Sequence, residues 1–283
     1  MKLSGTVVLY NPGVSVLDNI RTYIDEIDLL IIVDNSEIQN KKLLSKLKKY
    51  GKKIQYISFG ENLGIAKALN TAAKLAIEKG FSHLLTMDQD SFFDKKNISI
   101  LKKTALENSN KSFSVIAPVF TLKNESSDIR INHSAIFTEV KSVITSGCIL
   151  NLEAFNSSGG FCEKLFIDQV DHEFCLRARK HGYKTYIIRY CFLNHKLGDS
   201  ESIKILFFKT RVTNHNYIRR YYMTRNRLYL AAHYWSEIPE TIRKMITDNL
   251  KIIFFEKEKF KKIRSVIWGF LDFLFGHYGK YNH

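Results

Sequence analysis

Apolar runs and helical patterns alternate along the first third of the chain. The apolar runs have the length and composition of buried strands and lie at residues 6–10, 29–33, 53–59 and 82–87. Apolar residues in the intervening segments recur at helical spacing, which predicts helices at residues 14–26, 41–53 and 65–77. Strands that alternate with helices in this way predict a parallel, doubly wound α/β sheet.

Three of the predicted strands end in polar residues. Asn11 follows the first strand, Asp34 and Asn35 follow the second, and Asp88 and Asp90 follow the fourth. Because open α/β sheets bind ligands at the carboxyl ends of their strands, we expect these side chains to line one ligand crevice. A carboxylate after the second strand can accept hydrogen bonds from a ribose or a base. The alternative for both asparagines is turn formation.

The run Leu84-Leu85-Thr86-Met87-Asp88-Gln89-Asp90-Ser91 is the most informative part of this edge. Two carboxylates one residue apart are hard oxygen donors, which suit Mg²⁺ or Mn²⁺, especially an ion that already carries phosphate oxygens. The run therefore predicts a metal–diphosphate site, although an Asp-x-Asp pattern also occurs in solvated turns. The loop containing Asn62 and Gly64 precedes a helix and can present backbone N–H groups to an anion. A simple tight turn is the alternative for Gly64.

Composition narrows the class of protein. The chain has 283 residues, 45% of them hydrophobic and 25% charged, as in an ordinary soluble globular protein. The four cysteines have no CxxC spacing, so neither a zinc knuckle nor a disulfide framework is indicated. Reduced thiols and a cytoplasmic location fit this pattern. An uninterrupted apolar run of about 18 residues is absent, so we expect no membrane-spanning helix.

The charge is strongly basic, with 43 Lys and Arg against 28 Asp and Glu and a formal net charge of +15. Such a surface attracts nucleic acid, anionic lipid or anionic substrates. The sequence contains no recognisable nucleic-acid-binding module, so we do not expect nucleic acid as a partner. Residues 251–275 mix basic with aromatic side chains, which is typical of a helix lying on an anionic membrane surface. A core-facing helix with a solvated basic face, or a homodimer interface, would have the same pattern.

Several motifs, in order and spread over about residues 3 to 230, resemble those of the inverting GT-A glycosyltransferases of family 2, in their rhamnosyltransferase-like branch. They are VVLYNP (7–12), IIVDNS (31–36), ENLGIAKALN (61–70), LLTMDQDS (84–91), SGCIL (146–150), GGFCEKLFIDQVDHEFCLRARKHGY (159–183), LNHKLG (193–198) and RRYYMTRN (219–226). The resemblance implies a Rossmann-like GT-A fold, a mostly parallel sheet flanked by helices. We expect a catalytic domain at residues 1–215 and a C-terminal helical extension at residues 216–283.

The resemblance also implies roles for the residues of the sheet edge. In this family a nucleoside-diphosphate sugar lies across that edge. Its base and ribose would be held by Asn11, Asp34 and Asn62. Asn35 and Gly64, in the same loops, are further candidates for binding the donor. The metal, Mn²⁺ or Mg²⁺, would be bound by Asp88 and Asp90, with His195 completing the metal or diphosphate contact. The donor expected from this branch is dTDP-L-rhamnose, with a UDP-sugar as the other choice.

On the acceptor side, the resemblance places the general base at Asp171, with Asp168 as the second candidate. Asp171 could instead be a plain helix N-cap, and we expect Glu173 to be structural. Arg225 could pair with the diphosphate or stabilise the packing of its own helix. The acceptor implied is a saccharide or lipid-linked oligosaccharide of the cell surface, which would place the protein in the cytoplasm at the inner face of the plasma membrane.

Two other classes of protein use similar folds. A nucleotidyltransferase would usually have a basic, glycine-rich triphosphate loop after the first strand, and residues 11–15 contain no basic residue. A non-catalytic scaffold that binds lipid or polysaccharide would not need Asp88, Asp90, Asp171 and His195 together. Both therefore remain weaker alternatives to a glycosyltransferase.

Overall fold

The computed structural model describes residues 2–122, 137–195, 201–205, 208–212 and 214–283. The chain divides into two compact units. The first comprises Met1–Cys162 and Asp171–Lys196, and the second comprises Glu163–Val170 and Leu197–His283. The boundary expected between a catalytic domain at residues 1–215 and a helical extension at residues 216–283 stays a prediction.

The first unit is an α/β layer structure. Its strands are β1 (Leu3–Leu9), β2 (Leu29–Asp34), β3 (Ile54–Ser58), β4 (His83–Asp88), β5 (Ser91–Phe93), β6 (Phe113–Leu122), β7 (Phe137–Val140), β8 (Cys148–Asn151) and β9 (Lys184–His195). Its helices are α1 (Val16–Ile20), α2 (Lys41–Leu47), α3 (Ile65–Glu78), α4 (Lys95–Glu107), α5 (Leu152–Ser157) and α6 (Val170–Lys180). The four strands predicted in the first third of the chain are all present, with ends shifted by a few residues.

The first four strands form a parallel half-sheet in the order β3-β2-β1-β4. Parallel strands need crossover connections, and α3 supplies the connection between β3 and β4 while packing on β1, β2 and β4. This helix can lie close to the sheet because its inward face is alanine. Its fully buried alanines are Ala66, Ala68, Ala72, Ala73 and Ala76.

Beyond β4 the sheet becomes mixed. The order continues β8-β6-β9-β5, and β7 also pairs with β9. Strand β8 runs antiparallel to both β4 and β6, and β9 is antiparallel to β5 and β7 but parallel to β6. The sheet is thus less parallel than the sequence pattern predicted. The antiparallel strands β5, β7 and β8 all follow β4, beyond the four alternating strands and helices on which the prediction rested.

The predicted helix at residues 14–26 is broken in two. Helix α1 ends at Ile20, and a single 3₁₀ turn follows at Ile24–Glu26. The break lies at Thr22, whose hydroxyl donates to the carbonyl of Asn19 and accepts the N–H of Phe93. Its side chain therefore replaces helical hydrogen bonds and fastens β5 to this segment. The basic helix also ends early, at Leu47, and continues as a 3₁₀ segment that contains Gly51 at φ +54°.

The second unit contains a hairpin and three helices. They are β10 (Glu201–Ile205), β11 (Phe208–Val212), α7 (Tyr217–His233), α8 (Ile238–Phe255) and α9 (Lys259–Phe275). Helix α7 buries polar as well as aromatic side chains, among them Arg220, Arg225 and Tyr221. The basic-aromatic segment at residues 251–275 is not one helix, because Glu256 is extended and Glu258 is left-handed (φ +54°). Within the described part of the chain, no helix is long and apolar enough to cross a membrane.

Helices α7 and α9 are in close contact at Gly269. A Cβ atom at this position would lie 2.6 Å from the backbone oxygen of Tyr221 and 3.2 Å from Cβ of Thr224. Both atoms are fixed by the α7 backbone, so the helices would have to separate. We expect Gly269→Ala to lower the free energy of unfolding by about 1–3 kcal/mol, as overpacked sites do. Chemical denaturation measures this.

Ser265→Ala is the matched control, because Ser265 lies one turn earlier on the same buried face of α9 and the change adds no atoms. We expect a much smaller loss of stability for the control. Equal stability of Gly269→Ala and the wild type would show that the two helices are not held at this distance.

Candidate functional site

The predicted strand ends lie side by side. In the parallel half-sheet Leu9 is opposite Asp34, and Val8 is opposite Asp88. The carboxyl ends of β1, β2 and β4 therefore form one continuous polar edge within the first unit, as the sequence predicted. Gln89 ties two of these ends together, because its side chain accepts the N–H of Tyr10 at 3.0 Å and donates to the Tyr10 carbonyl at 3.2 Å.

Asp34 is held in place by two donors. One carboxylate oxygen accepts the Ser36 N–H at 2.9 Å, and the other accepts the Tyr56 hydroxyl at 2.5 Å. Burial and the neighbouring carboxylate raise the pKa of Tyr56, so its hydroxyl stays protonated and remains a donor. Although Asp34 is only 1% exposed, each carboxylate oxygen has a second lone pair. Asp34 can therefore accept a further hydrogen bond, and its orientation is already set.

The asparagines and the glycine near this edge organise its loops. Asn11 is left-handed at φ +46°, and its N–H donates to Ser36 Oγ at 2.7 Å. Asn35 donates from its side chain to the carbonyl of Gly64 at 3.1 Å, and Asn62 Oδ1 accepts the Gly64 N–H at 3.0 Å. Gly64 itself has φ +85° and ψ 164°, a conformation open essentially to glycine alone. The turn-forming roles considered from the sequence are therefore present, and they position the N-terminus of α3.

Asp88 and Asp90 lie half-buried at the end of β4. The Asp88 N–H donates to Ser146 Oγ at 3.2 Å, and Ser146 Oγ donates to Ser91 Oγ at 2.9 Å. The loop that carries both carboxylates is thus attached to the segment before β8. Strand pairing places the backbone of His195 opposite Ser91, one residue from Asp90. The predicted His195 side chain lies outside the described part of the structure.

The donor set can be compared with what a divalent cation needs. Among the described residues, no three His, Cys, Asp or Glu side chains converge as a complete metal cage. Proteins often hold Mg²⁺ with only one or two carboxylates, while water and substrate phosphates complete its coordination shell. Two carboxylates one residue apart suit this kind of site. Asp88 and Asp90 therefore fit an ion that arrives with a diphosphate.

Asp171 lies in the same unit as this edge. Helix α6 begins at Val170, so Asp171 is inside the first turn rather than at the cap, and its carboxylate accepts the N–H of His172 at 3.0 Å. The thiol of Cys148 is buried, and its pKa is raised mainly by burial, with smaller contributions that include the charges of Asp171 and Asp88.

Glu173 is structural, as predicted. It is buried and forms a two-pronged ion pair with Arg177, at 2.8 Å to Nε and 2.7 Å to Nη2. Arg177 also donates to the carbonyls of Ser158 and Gly160. The pair therefore fastens α6 to the glycine turn that follows α5.

Asp168 belongs to the second unit, in a segment with unusual backbone angles. Phe166, Asp168 and Gln169 all have positive φ, between +61° and +67°, which costs non-glycine residues energy. One Asp168 carboxylate oxygen accepts the Gln169 N–H at 3.1 Å, and the other is buried without a hydrogen-bond partner among the described residues. The side-chain amide of Asn226 holds this segment, donating to the carbonyls of Leu165, Ile167 and Asp168 at 2.7–2.9 Å.

Arg225 is 0% exposed, and all five of its N–H donors are in use. They bind the carbonyls of Lys164, Leu165 and Gly279, the Tyr221 hydroxyl and Asn226 Oδ1. This arrangement favours the packing role over the diphosphate role, because no donor is left for a ligand. Arg225 and Asn226 together form a clamp on residues 164–168, which the sequence did not reveal.

Comparisons with known proteins agree with this geometry. The family model described as "Glycosyl transferase family 2" matches residues 14–159. The dTDP-rhamnosyl transferase RfbF of Shigella flexneri is 30% identical over 296 residues, which cover 98% of this chain and 97% of that protein. An uncharacterised protein of Mycobacterium tuberculosis, Rv1525, is 27% identical over 48% of this chain and 55% of its own length.

Solved structures share the fold. The S. aureus TarS 1-349 structure in complex with UDP-GlcNAc superimposes with a TM-score of 0.64 at 16% identity, covering 97% of this chain and 81% of TarS. The structure of GalNAc-T7 with UDP, GalNAc and Mn²⁺ has a TM-score of 0.55 at 13% identity, covering 69% of this chain and 44% of that one. The GT-A fold expected from the sequence is therefore confirmed, and the chain belongs to glycosyltransferase family 2 as a rhamnosyltransferase-like glycosyltransferase.

Proposed function

We propose that the protein transfers L-rhamnose from dTDP-L-rhamnose to a saccharide acceptor, with a divalent metal and with inversion at the anomeric carbon. The choice of dTDP-L-rhamnose as donor rests on the similarity, over nearly the full length, to a dTDP-rhamnosyl transferase. The acceptor is a growing cell-surface saccharide, either free or lipid-linked, and transfer takes place on the cytoplasmic side of the membrane.

The nucleotide lies along the polar edge of the parallel half-sheet. Asp34, oriented by Ser36 and Tyr56, accepts hydrogen bonds from the base or ribose. Asn11 and Asn35 shape the walls of this position, and the N-terminus of α3 behind Asn62 and Gly64 offers backbone N–H groups to the anionic part of the donor.

Asp88 and Asp90 would hold Mn²⁺ or Mg²⁺, with His195 as the third protein ligand. When bound, the ion offsets the negative charge that develops on the departing dTDP. The chain's own contribution is to keep the two carboxylates in place through the Ser146 and Gln89 contacts described above.

Asp171 acts as the general base. Its carboxylate takes the proton of the acceptor hydroxyl as that oxygen forms a bond to the anomeric carbon, while the bond from this carbon to the diphosphate oxygen breaks. Attack from the face opposite the leaving group inverts the configuration, through an oxocarbenium-like transition state. Asp168 is the second candidate for the base. Arg225 has no part in the proposal, since its donors are already used.

Slow hydrolysis of the donor tests the proposal without a known acceptor, because water can replace the acceptor hydroxyl. We expect faster release of dTDP from dTDP-L-rhamnose than of UDP from UDP-GlcNAc, and loss of both activities in EDTA. Proton NMR taken before mutarotation should show rhamnose first in the anomeric configuration opposite to that of the donor. Retention of configuration would contradict the inverting mechanism.

Asp90→Ala is expected to weaken metal-dependent nucleotide binding. Loss of a direct carboxylate ligand should lower the affinity for dTDP in Mn²⁺ by about tenfold or more, since ligand and supporting residues of metal sites are typically worth that much. Isothermal titration calorimetry measures the affinity. Asp94→Ala is the control, because Asp94 is an exposed carboxylate just beyond β5. If the two variants bind dTDP equally well, Asp90 is not a ligand.

A further inference from the structure

Helices α8 and α9 expose their apolar side chains. On α9 these recur every three or four residues and so form one stripe, which consists of Phe260, Ile263, Ile267, Phe270 and Leu274. Phe260 is 91% exposed and Phe275, at the end of the helix, is 70% exposed. On α8 a second stripe consists of Ile238, Ile242, Ile246, Leu250 and Ile253. We call these two stripes together the apolar face.

The opposite side of α9 is buried and polar. Lys262, Ser265, Gly269 and Asp272 lie on it at helical spacing, and each is buried. Lys262 forms an ion pair with the buried carboxylate of Glu256 at 2.9 Å. Asp272 accepts the Tyr221 hydroxyl at 2.5 Å and pairs with His283 at 2.7 Å. The polar side of α9 is therefore packed against the protein and its apolar side is exposed. This is the reverse of the arrangement in an ordinary surface helix.

Helix α8 follows the same plan. Asp248, on its packed side, binds Arg227 at 2.7 Å and Arg220 at 3.5 Å, both from α7. Arg220 also pairs with Glu256. Ion pairs that are buried at Glu256 and half-buried at Asp248 thus connect the polar sides of both helices to α7. The apolar residues are left outward by this arrangement, so the apolar face is a consistent feature of two helices rather than a few scattered exposed side chains.

Basic side chains adjoin the apolar face. Lys257, Lys259, Lys261 and Arg264 are exposed around the beginning of α9, and the one exposed carboxylate among residues 257–264, Glu258, pairs with Lys261. This leaves a net positive rim beside the aromatic side chains. Aromatic and aliphatic residues flanked by lysine and arginine are the composition of helices that lie in the interface of anionic bilayers.

We propose that the apolar face and its basic rim bind the surface of an anionic phospholipid bilayer, with α8 and α9 lying in the interface. Charge selects this occupant over a second copy of the chain. A two-fold contact through this face would bring the basic rim close to a second copy of a chain whose net charge is +15. Anionic headgroups, in contrast, attract the basic rim. The proposal rests on the second unit and does not depend on the identity of the donor.

Flotation with vesicles tests the proposal. We expect the wild-type protein to float with vesicles of equal parts phosphatidylcholine and phosphatidylglycerol, and to float much less with phosphatidylcholine alone. Binding should weaken as salt is raised, because added ions screen the basic rim. Trp235, 85% exposed beside the start of α8, should show a blue-shifted fluorescence on binding.

Two variants and a control separate the contributions. Phe260→Ser with Ile267→Ser should reduce binding roughly tenfold or more, since interfacial binding scales with buried apolar area. Lys257→Glu with Lys259→Glu should abolish the preference for anionic vesicles. Leu106→Ser is the control, because Leu106 is an exposed leucine that belongs to a different helix, α4 of the first unit. Circular dichroism and dTDP binding check that each variant is folded.

Three results would overturn the proposal. They are no binding of the wild type to either vesicle, equal binding by Phe260→Ser with Ile267→Ser and by the control, and a wild-type dimer in sedimentation velocity that this double variant converts to monomer. The last result would assign the apolar face to a second copy of the chain. None of them bears on dTDP binding, which is measured separately.

Discussion

Replacing Asp171 by asparagine is expected to abolish sugar transfer while leaving nucleotide binding intact. Asparagine keeps the shape of the side chain and can still accept the His172 N–H, so the start of α6 should be unchanged. It cannot take the proton of the acceptor hydroxyl. Since general-base catalysis contributes roughly 10²–10⁴-fold, we expect a fall in the rate of dTDP release from dTDP-L-rhamnose of about 10³-fold. Calorimetry should show an unchanged dissociation constant for dTDP in Mn²⁺.

Asp168→Asn is the matched comparison, because it removes the other candidate carboxylate in the same way. If Asp168→Asn is inactive and Asp171→Asn is active, the base is Asp168. If Asp171→Asn loses dTDP binding together with transfer, Asp171 has a structural role and the proposed mechanism is wrong.

The second large effect concerns stability. Arg225→Lys keeps the positive charge but replaces a planar fork of five donors by a single ammonium, which cannot reach the carbonyls of Lys164 and Gly279 together. The Leu165 carbonyl keeps its hydrogen bond from Asn226. Each buried carbonyl left without a partner costs about 1–3 kcal/mol. We therefore expect the free energy of unfolding to fall by about 2–4 kcal/mol, measured by chemical denaturation.

Arg219→Lys serves as the control, since Arg219 is exposed on the same helix and should change stability by less than about 0.5 kcal/mol. The two roles considered for Arg225 give opposite results in this experiment. A diphosphate ligand would leave stability unchanged in Arg225→Lys while weakening dTDP binding. That outcome would reinstate Arg225 as part of the donor site.

Hydrophobic periodicity was sufficient to predict the parallel half-sheet and the polar residues along its edge. Strands β1, β2 and β4 are buried along nearly their whole length, and the part of each that leads to its carboxyl end is largely apolar in sequence. The parallel order then brings Asp34, Asp88 and the end of β1 to the same edge without further information. Periodicity did not predict the general base. Asp171 was proposed for that role only from the resemblance to the family.

Two features could not be read from the sequence because they depend on contacts between distant residues. The polarity of α9 is one. Its pattern shows an apolar side and a polar side, and the polar side is packed through contacts such as Lys262 with Glu256 and Asp272 with Tyr221. The clamp is the other. Asn226 binds three carbonyls some sixty residues earlier (58–61 apart), and no local pattern predicts such a contact.

The central claim, a metal-dependent donor site for dTDP-L-rhamnose on the polar edge of the sheet, is tested most directly by calorimetric titration of the wild-type protein. The ligands are dTDP and UDP, each in Mn²⁺ and in EDTA. We predict that dTDP binds in Mn²⁺, that UDP binds more weakly, and that EDTA removes binding of both. Tighter binding of UDP than of dTDP would contradict the donor assignment, and equal binding in EDTA would contradict the role of the metal.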